Sequence, residues 1–310
     1  MVALDVGGTG MKGALLDREL RVLAELRRPT PRGDGVEAVL DAVVEALADL
    51  AGQAAAQGRE VCRVGVAVPG IIDERSRTGV YSAAFGWHDL PLGELLERRG
   101  SRGTGVTLAH DVRAAGHAES VLGAARGVGD SLLLTLGTGI GAALTCQGRQ
   151  LSSGGYAGQL GHAVVDLAGA DCGCGNRGCL STVASAGAVA ARYTAATGRA
   201  VSGAAEVVAA VRAGEGAALA VWGAATAALG DALAMAVCLT APELVVLGGG
   251  LALAGELLLE PVRARLAERL TFQRVPVLVR SELGDLAGCL GAGLQAWEDV
   301  RLTNVCPDQE

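Results

Sequence analysis

The sequence is short of lysine: of 26 basic residues, all but Lys12 are arginine. It is short of positive charge altogether, with 33 acidic residues and a formal charge of −7, which argues against a surface built to neutralise nucleic-acid phosphates or anionic lipid. No uninterrupted apolar run is long enough for a bilayer. The most apolar stretch, 227–259, is broken by Asp231, Pro242, Glu243, Gly248–Gly250 and Glu256. No signal peptide is visible, because Asp5 and a glycine turn follow Met1 almost at once. A Walker A sequence is missing, which excludes an ordinary P-loop enzyme. Eight cysteines in 310 residues fall short of a disulfide scaffold. Together these absences predict a cytoplasmic protein with neither a nucleic-acid nor a membrane partner.

What is present is apolar and rich in glycine. Half the residues are hydrophobic, which excludes a disordered chain, and the length exceeds what one core usually serves, so two domains are expected. The 47 glycines follow no G-x-y period, so they serve turns and close backbone approaches. Lysine carries a compact ammonium where arginine carries a planar fork. A single Lys in an arginine-rich chain marks a position where only that head group fits.

The chain opens as strand, tight turn, strand: Val2–Val6, Gly7-Gly8-Thr9-Gly10, then Lys12–Leu16, with a third strand near Arg21–Leu26. Apolar residues at helical spacing follow between Gly35 and Gly58, then a buried strand over Val61–Val68. Thr104–Ala109 reads as a short strand running into Asp111 and a helix over Val112–Leu122. The opening pattern then returns as Ser131–Leu136, Gly137-Thr138-Gly139 and Ile140–Thr145. Two such units predict a duplicated α/β architecture with one phosphate loop per half. From Ser181 helices dominate, interrupted by strands at Leu244–Leu247 and Val275–Val279, and a last helix covers about Asp285–Val300.

Backbone N–H groups reach phosphate oxygens only where Cβ atoms are out of the way, which accounts for Gly7, Gly8 and Gly10; Thr9 adds a hydroxyl and Lys12 a charge. Asp5 at the strand end can hold Mg²⁺ through water. The alternative is an ordinary glycine hairpin, which the further turns Gly137-Thr138-Gly139 and Gly248-Gly249-Gly250 disfavour. Asp111, between strand and helix, can take the proton of a hydroxyl during phosphoryl transfer, or serve as a helix cap, or both.

Cys172, Cys174 and Cys179 fall within one glycine-rich knuckle, with His162 upstream. Three thiolates and one imidazole form a structural zinc set with every position taken by protein, whereas a polar loop gives free thiols no burial to explain them. Cys62, Cys146, Cys238, Cys289 and Cys306 are scattered, most among apolar neighbours, where a reduced core thiol is expected. His88 and His117 receive no site role, and Trp87 reads as packing.

On these residues the chain resembles the ROK family of sugar kinases and repressors, over essentially its whole length. Asp5–Lys12 resembles the first phosphate motif, Val66–Ile71 the connecting segment and Leu136–Ala142 the second phosphate motif. Gly155–His162 resembles the family signature, Cys172–Cys179 its zinc knuckle and Leu247–Gly250 its adenosine loop. The resemblance implies a two-domain actin-like ATPase (ribonuclease H-like) fold with an interdomain cleft: residues 1–110 plus 292–310, and 111–291. It implies Asp111 as catalytic base, ATP with Mg²⁺ as donor, structural Zn²⁺, a sugar-like acceptor and a homodimer. Asp5, Gly7, Gly8, Thr9, Lys12, Gly137, Thr138, Gly139, Gly248, Gly249 and Gly250 would serve the nucleotide. The first motif begins at residue 5, so the winged DNA-binding segment of the repressors is not expected.

Four positions depart from the family pattern on the substrate side. His110 stands for the usual Asn before the base, Gln159 for the signature Glu, Ser181 for the Glu after the last knuckle Cys, and Ala84 for an Asn before Gly86-Trp87. A carboxylate accepts hydroxyl hydrogen bonds strongly, so losing two of them alters the acceptor rather than trimming its affinity. In the family the Glu replaced by Ser181 binds the anomeric hydroxyl. Its loss suits an acceptor without one, such as a C7 cyclitol of secondary metabolism. Lost negative charge disfavours an amino sugar such as kanosamine. Ordinary glucokinase or N-acetylhexosamine kinase activity, and a non-catalytic sugar sensor, remain the alternatives. By the resemblance His162 touches both zinc and sugar.

Overall fold

The structure, a computed structural model, describes residues 1–100 and 103–303. The chain begins with β1 (Val2–Val6), β2 (Gly10–Leu16), β3 (Val22–Pro29), α1 (Val36–Ala56) and β4 (Arg63–Val68). Short strands β5 (Ile71–Asp73), β6 (Thr78–Ser82) and β7 (Trp87–Leu90) precede α2 (Leu92–Arg99), β8 (Gly105–His110) and α3 (Asp111–Val121). Next come β9 (Ser131–Leu136), β10 (Ile140–Cys146), β11 (Arg149–Gln150), α4 (Ser181–Ala184), α5 (Ala186–Thr197) and α6 (Ala204–Arg212). The chain continues with α7 (Gly216–Thr240), β12 (Leu244–Gly248), α8 (Glu256–Arg269), β13 (Val277–Arg280) and α9 (Ala287–Thr303).

The elements form two compact units. The first contains Met1–Ala118, Ser152–Tyr156 and the residues from Asp285 onward; the second contains Glu119–Leu151 and Ala157–Gly284. These limits differ from the 110/111 and 291/292 divisions that the resemblance implies. Most of α3 belongs to the first unit because α9 lies directly on it: a Cβ at Gly291 would sit 1.9 Å from the Ala114 carbonyl oxygen.

The first unit's sheet has the order β3-β2-β1-β4-β8, antiparallel across β3, β2 and β1 and parallel from β1 to β8. The second unit's sheet runs β11-β10-β9-β12-β13 with the same alternation of directions. The repetition expected from the two glycine turns is therefore a repetition of whole sheets. A third sheet, β5-β6-β7, belongs to the first unit; its short, partly polar strands carry no clear alternation in the sequence.

Each sheet has its own core. In the first unit α1 lays Val39, Leu40, Val43, Ala46, Leu47, Leu50 and Ala54 against apolar residues of β1, β2 and β4, a stripe at helical period. On the same unit α9 comes so close to β4 that a Cβ at Gly65 would stand 2.2 Å from the Ala292 carbonyl oxygen. In the second unit α7 is long and apolar enough to cross a membrane, yet 61% of its most apolar window is buried. Trp222, Leu229, Leu233 and Val237 join that core, and the Trp222 indole N–H donates to the Leu257 carbonyl at 3.0 Å; α7 is a core helix. Of the scattered cysteines, Cys289 is buried while Cys146 and Cys238 are exposed, contrary to the expectation of core thiols. Cys306 lies outside the described residues.

Candidate functional site

In the first unit, the β1–β2 register sets Asp5 opposite Lys12. The turn between them closes with the Gly7 N–H donating to the Gly10 carbonyl at 3.0 Å. It is pinned from β3's end, where the Thr30 hydroxyl donates to the Gly7 carbonyl at 2.8 Å. Gly7 is needed by the turn itself, since a Cβ there would lie 2.9 Å from the Gly10 carbonyl oxygen. Gly8 is different: nothing approaches its Cβ position closer than Arg32 Nη1 at 4.0 Å, and its φ is not in the left-handed region. Neither packing nor conformation demands glycine there, and the remaining reason is access to the backbone from outside. Thr9 is exposed on the same turn, and Thr9 to Lys12 with Arg27 to Pro29 line a cavity of about 370 Å³.

Asp5 is the electrostatic centre of this region. Burial first, then the negative charge of Asp111, push its carboxyl up to about 7, with Lys12 opposing and Asp285 adding to the rise. The start of α9 abuts it, a Cβ at Gly288 falling 2.6 Å from Asp5 Oδ2. Lys12 Nζ lies 3.7 Å from Asp285 Oδ2, and Arg27 holds the same oxygen at 2.7 Å. These partners hold Asp285 below the usual carboxylate range, Arg27 most. The sequence reading did not single out Asp285; its partners Lys12 and Arg27 lie more than 250 residues away in the chain.

Asp111 opens α3 at the end of β8, half-buried. Its Oδ1 accepts the Val112 N–H at 2.7 Å and lies 3.4 Å from His110 Nε2. His110, 5% exposed, accepts the Arg113 N–H on Nδ1 at 3.3 Å. Behind it stands an unexpected arginine. Arg113 is 1% exposed and donates to Glu74 Oε1 (3.1 Å), the Gly155 carbonyl (3.3 Å) and the Ile72 carbonyl (3.1 Å). Glu74 also accepts the His110 N–H at 3.2 Å. Ala84 lies in the turn between β6 and β7, partly buried against the first core, and Trp87 is buried beside Phe85 at 5.0 Å, as packing. His117 pairs with Glu298 at 2.8 Å, and His88 is exposed beside Tyr81.

In the second unit, the β9–β10 turn repeats the closure, Gly137 N–H to Gly139 carbonyl at 3.0 Å. Thr138 and Gly139 are exposed, and no atom lies within 4 Å of a Cβ at Gly139. The start of α5 backs this turn: the Ala186 N–H donates to the Gly137 carbonyl at 2.9 Å, and Ser185 caps the helix by accepting the Ala188 N–H. Gly248 ends β12 opposite Thr135. Gly249 has φ +80 and its Cβ position lies 2.6 Å from the Leu136 carbonyl oxygen, so the third turn is seated against the second, with Gly250 open beside it. These two loops thus share one end of one sheet, past the C-termini of the parallel neighbours β9 and β12.

The signature segment is locked along β10. A Cβ at Gly158 would meet the Ala142 carbonyl oxygen at 2.0 Å, and one at Gly161 would meet that of Ile140 at 2.0 Å and Ser181 Oγ at 2.6 Å. This brings Ser181 beside the residue preceding His162, while Gln159, half-buried, leads into the same turn by accepting the His162 N–H at 2.9 Å. The ligand atoms of His162, Cys172, Cys174 and Cys179 all lie within 4.8 Å of one another. Cys174 Sγ to Cys179 Sγ is 3.7 Å, and Cys172 Sγ to His162 Nδ1 is 3.7 Å. Tetrahedral zinc at ordinary bond lengths requires S–S and S–N edges of about 3.6–3.8 Å; two of the six edges meet that figure and the others lie within 4.8 Å. The loop is tightly made: a Cβ at Gly178 would fall 1.6 Å from the Asp166 carbonyl oxygen.

A sequence profile described as "ROK family" matches residues 1–298. The chain belongs to the ROK family. A glucokinase of Thermotoga maritima is 32% identical over 309 residues, covering 94% of this chain and 95% of its own. Among solved structures, a ROK family glucokinase from Streptomyces griseus in complex with glucose and AMPPNP superposes with a TM-score of 0.85 at 28% identity, over 96% of this chain and 99% of its own. A ROK family transcriptional regulator, a homologue of the E. coli MLC protein, gives 0.86 at 26% identity, over 98% of this chain and 80% of its own. The fold of this ROK chain is thus the actin-like ATPase fold expected from its motifs.

Proposed function

We propose that this ROK family chain is an ATP-dependent kinase that phosphorylates a primary exocyclic hydroxyl of a sugar or sugar-like cyclitol. The observation that carries the reading is one carboxylate, Asp111, half-buried where β8 runs into α3, in the same unit as the first glycine turn with Asp5 and Lys12 paired across its strands. Asp111 takes the proton of the acceptor hydroxyl as its oxygen bonds to the γ-phosphorus and the bond from that phosphorus to ADP breaks. Gly7, Gly8, Thr9 and Lys12 in the first unit, and Gly137, Thr138 and Gly139 in the second, are assigned to the phosphates. Gly248–Gly250 are assigned to the adenosine. Asp5 is assigned to Mg²⁺ through water, where the ion neutralises phosphate charge. His162, Cys172, Cys174 and Cys179 hold structural zinc, which orders the loop around Gln159.

The acceptor pocket is read as altered from the usual glucokinase pattern through Ala84, His110, Gln159 and Ser181. Gln159 offers a donor where a carboxylate offers only acceptors, and Ser181 leaves space. This favours an acceptor lacking an anomeric hydroxyl, the C7 cyclitols, ahead of glucose, N-acetylhexosamines or a kanosamine-type amino sugar. The likeness to a regulator supports a second reading, a sugar sensor without turnover. One experiment separates the two: ADP release with a panel of hexoses, amino sugars and C7 cyclitols, wild type against Asp111→Asn. A kinase loses at least 10³-fold in kcat, on the order of 4 kcal/mol of barrier, whereas equal traces in both proteins would establish the sensor.

A further inference from the structure

His110 is the last residue of β8, and its ring is buried immediately ahead of α3. Its Nδ1 accepts the N–H of Arg113, the third amide of that helix, at 3.3 Å. That is the bond an N-cap side chain makes. A ring nitrogen that accepts a hydrogen bond carries no proton, so the neutral imidazole bears its hydrogen on Nε2. Nε2 lies 3.4 Å from Asp111 Oδ1, the same oxygen that accepts the Val112 N–H at 2.7 Å.

We propose that His110 is a positioning residue, held as the Nε2–H tautomer by its cap to α3, whose N–H faces Asp111 Oδ1 and leaves Oδ2 as the oxygen that takes the acceptor proton. The proposal rests on the kinase reading above and goes beyond it by assigning this ring to the base rather than to the acceptor. The groups facing the ring are Asp111, Arg113 and Glu74. Burial is the largest influence and drives the imidazolium pKa down, Arg113 acts in the same sense, and the two carboxylates oppose it. Protonating Nδ1 would in addition remove the cap and set a cation at the positive end of α3. An asparagine offers the same pair of functions, an amide oxygen for the cap and an amide N–H toward Asp111. Histidine can therefore replace it without disturbing the base. A serine keeps the cap but falls short of Asp111 by the span of the imidazole ring.

Two measurements test this. In protein carrying ¹⁵N-histidine, the imidazole signal that vanishes in His110→Asn is expected to show an unprotonated Nδ1 and a protonated Nε2, unchanged between about pH 6 and 8, where an ordinary histidine titrates. In steady-state kinetics with the best acceptor of the panel, His110→Asn, which restores an amide N–H toward Asp111, is expected to turn over at least about tenfold faster than His110→Ser. His110→Ser keeps the folded state, read by circular dichroism, and the acceptor KM but loses at least about tenfold in kcat, near 1.4 kcal/mol of barrier. A serine variant with wild-type kcat, a raised KM at unchanged kcat, or an Nδ1–H ring would each overturn the proposal. A wild-type protein without phosphotransfer would defeat the kinase reading along with it, whereas an active wild type with an equally active serine variant defeats this proposal alone.

Discussion

Arg113→Met is the most informative single perturbation of the first unit. Methionine fills a buried slot of similar length with a flexible apolar chain, so volume is nearly kept and what disappears are the donors. The Ile72 and Gly155 carbonyls lose their bonds at 3.1 and 3.3 Å, and Glu74 loses its bond at 3.1 Å. Each orphaned buried carbonyl costs about 1–3 kcal/mol. Glu74, 28% exposed, keeps contact with water, so its share is discounted. The sum is about 3–5 kcal/mol, the range found when one partner of a buried pair is removed. The loss falls on 152–156, a five-residue piece that belongs to the first unit although the chain on both sides belongs to the second. Hydrogen exchange read on peptides covering 71–74 and 153–157 is expected to speed up by about 100- to 4,000-fold, at 1.4 kcal/mol per tenfold. Arg113→Lys, with one compact ammonium in place of the fork, should give an intermediate rate. Protection within threefold of wild type in Arg113→Met would refute the assignment of Arg113 as the tie between Ile72, Gly155 and α3.

Two further outcomes are expected. Purified protein should contain about one zinc per chain by elemental analysis, and Cys174→Ser should lose it and expose the 163–180 loop to protease; metal-free wild type with unchanged proteolysis would remove the knuckle assignment. The Asp5 carboxyl, raised to about 7 by burial and Asp111, keeps in the folded state a proton that the unfolded chain releases near pH 4. Stability of the metal-free protein should therefore fall as pH climbs from about 4 through 7, by on the order of a few kcal/mol. Asp5→Asn should flatten that slope in urea titrations, and parallel profiles for the two proteins would contradict it.

The sheets and loops were legible because they are made locally. Gly7-Gly8-Thr9-Gly10 and Gly137-Thr138-Gly139 each sit between apolar strands that pair with their immediate neighbours, so sequence order and spatial order coincide. The knuckle was legible for the opposite reason: in a polar loop Cys172 and Cys174 have no packing explanation, although Cys179 beside them is buried. The small sheet was not legible, since β5 pairs with β6 through a register shift at Ile71/Ile72 and β7, buried at Trp87 and exposed at His88 and Asp89, does not alternate. Arg113 and Glu74 gave no signal at all. Arginine is ordinarily a surface residue, and what buries this one are contacts 39, 41 and 42 residues away in the chain. The domain limit differs for a related reason: the packing of α9 on Ala114 and the bonds of Arg113 to Ile72, Glu74 and Gly155, all distant in sequence, tie most of α3 to the first unit.

The departures from the family pattern proposed for the acceptor pocket also divide by chemistry. At His110 the replacement can keep both functions of an amide, an acceptor for the helix and a donor toward the base. Any residue that aligns Asp111 must do both, because Asp111 begins the same helix that His110 caps. Gln159 keeps the reach but not the charge of the carboxylate it is read as replacing, Ser181 keeps neither, and they lie on the signature segment and α4, elements that carry no part of the base. A change that left acceptor binding alone and damaged transfer would fall at His110; one that changed the acceptor and spared transfer would fall at Gln159 or Ser181. Restoring glutamate at 159 and 181 together should therefore shift acceptor preference toward hexoses at nearly constant kcat for the best acceptor. A collapse of kcat with preference unchanged would mean that recognition and chemistry are not separable in this fold.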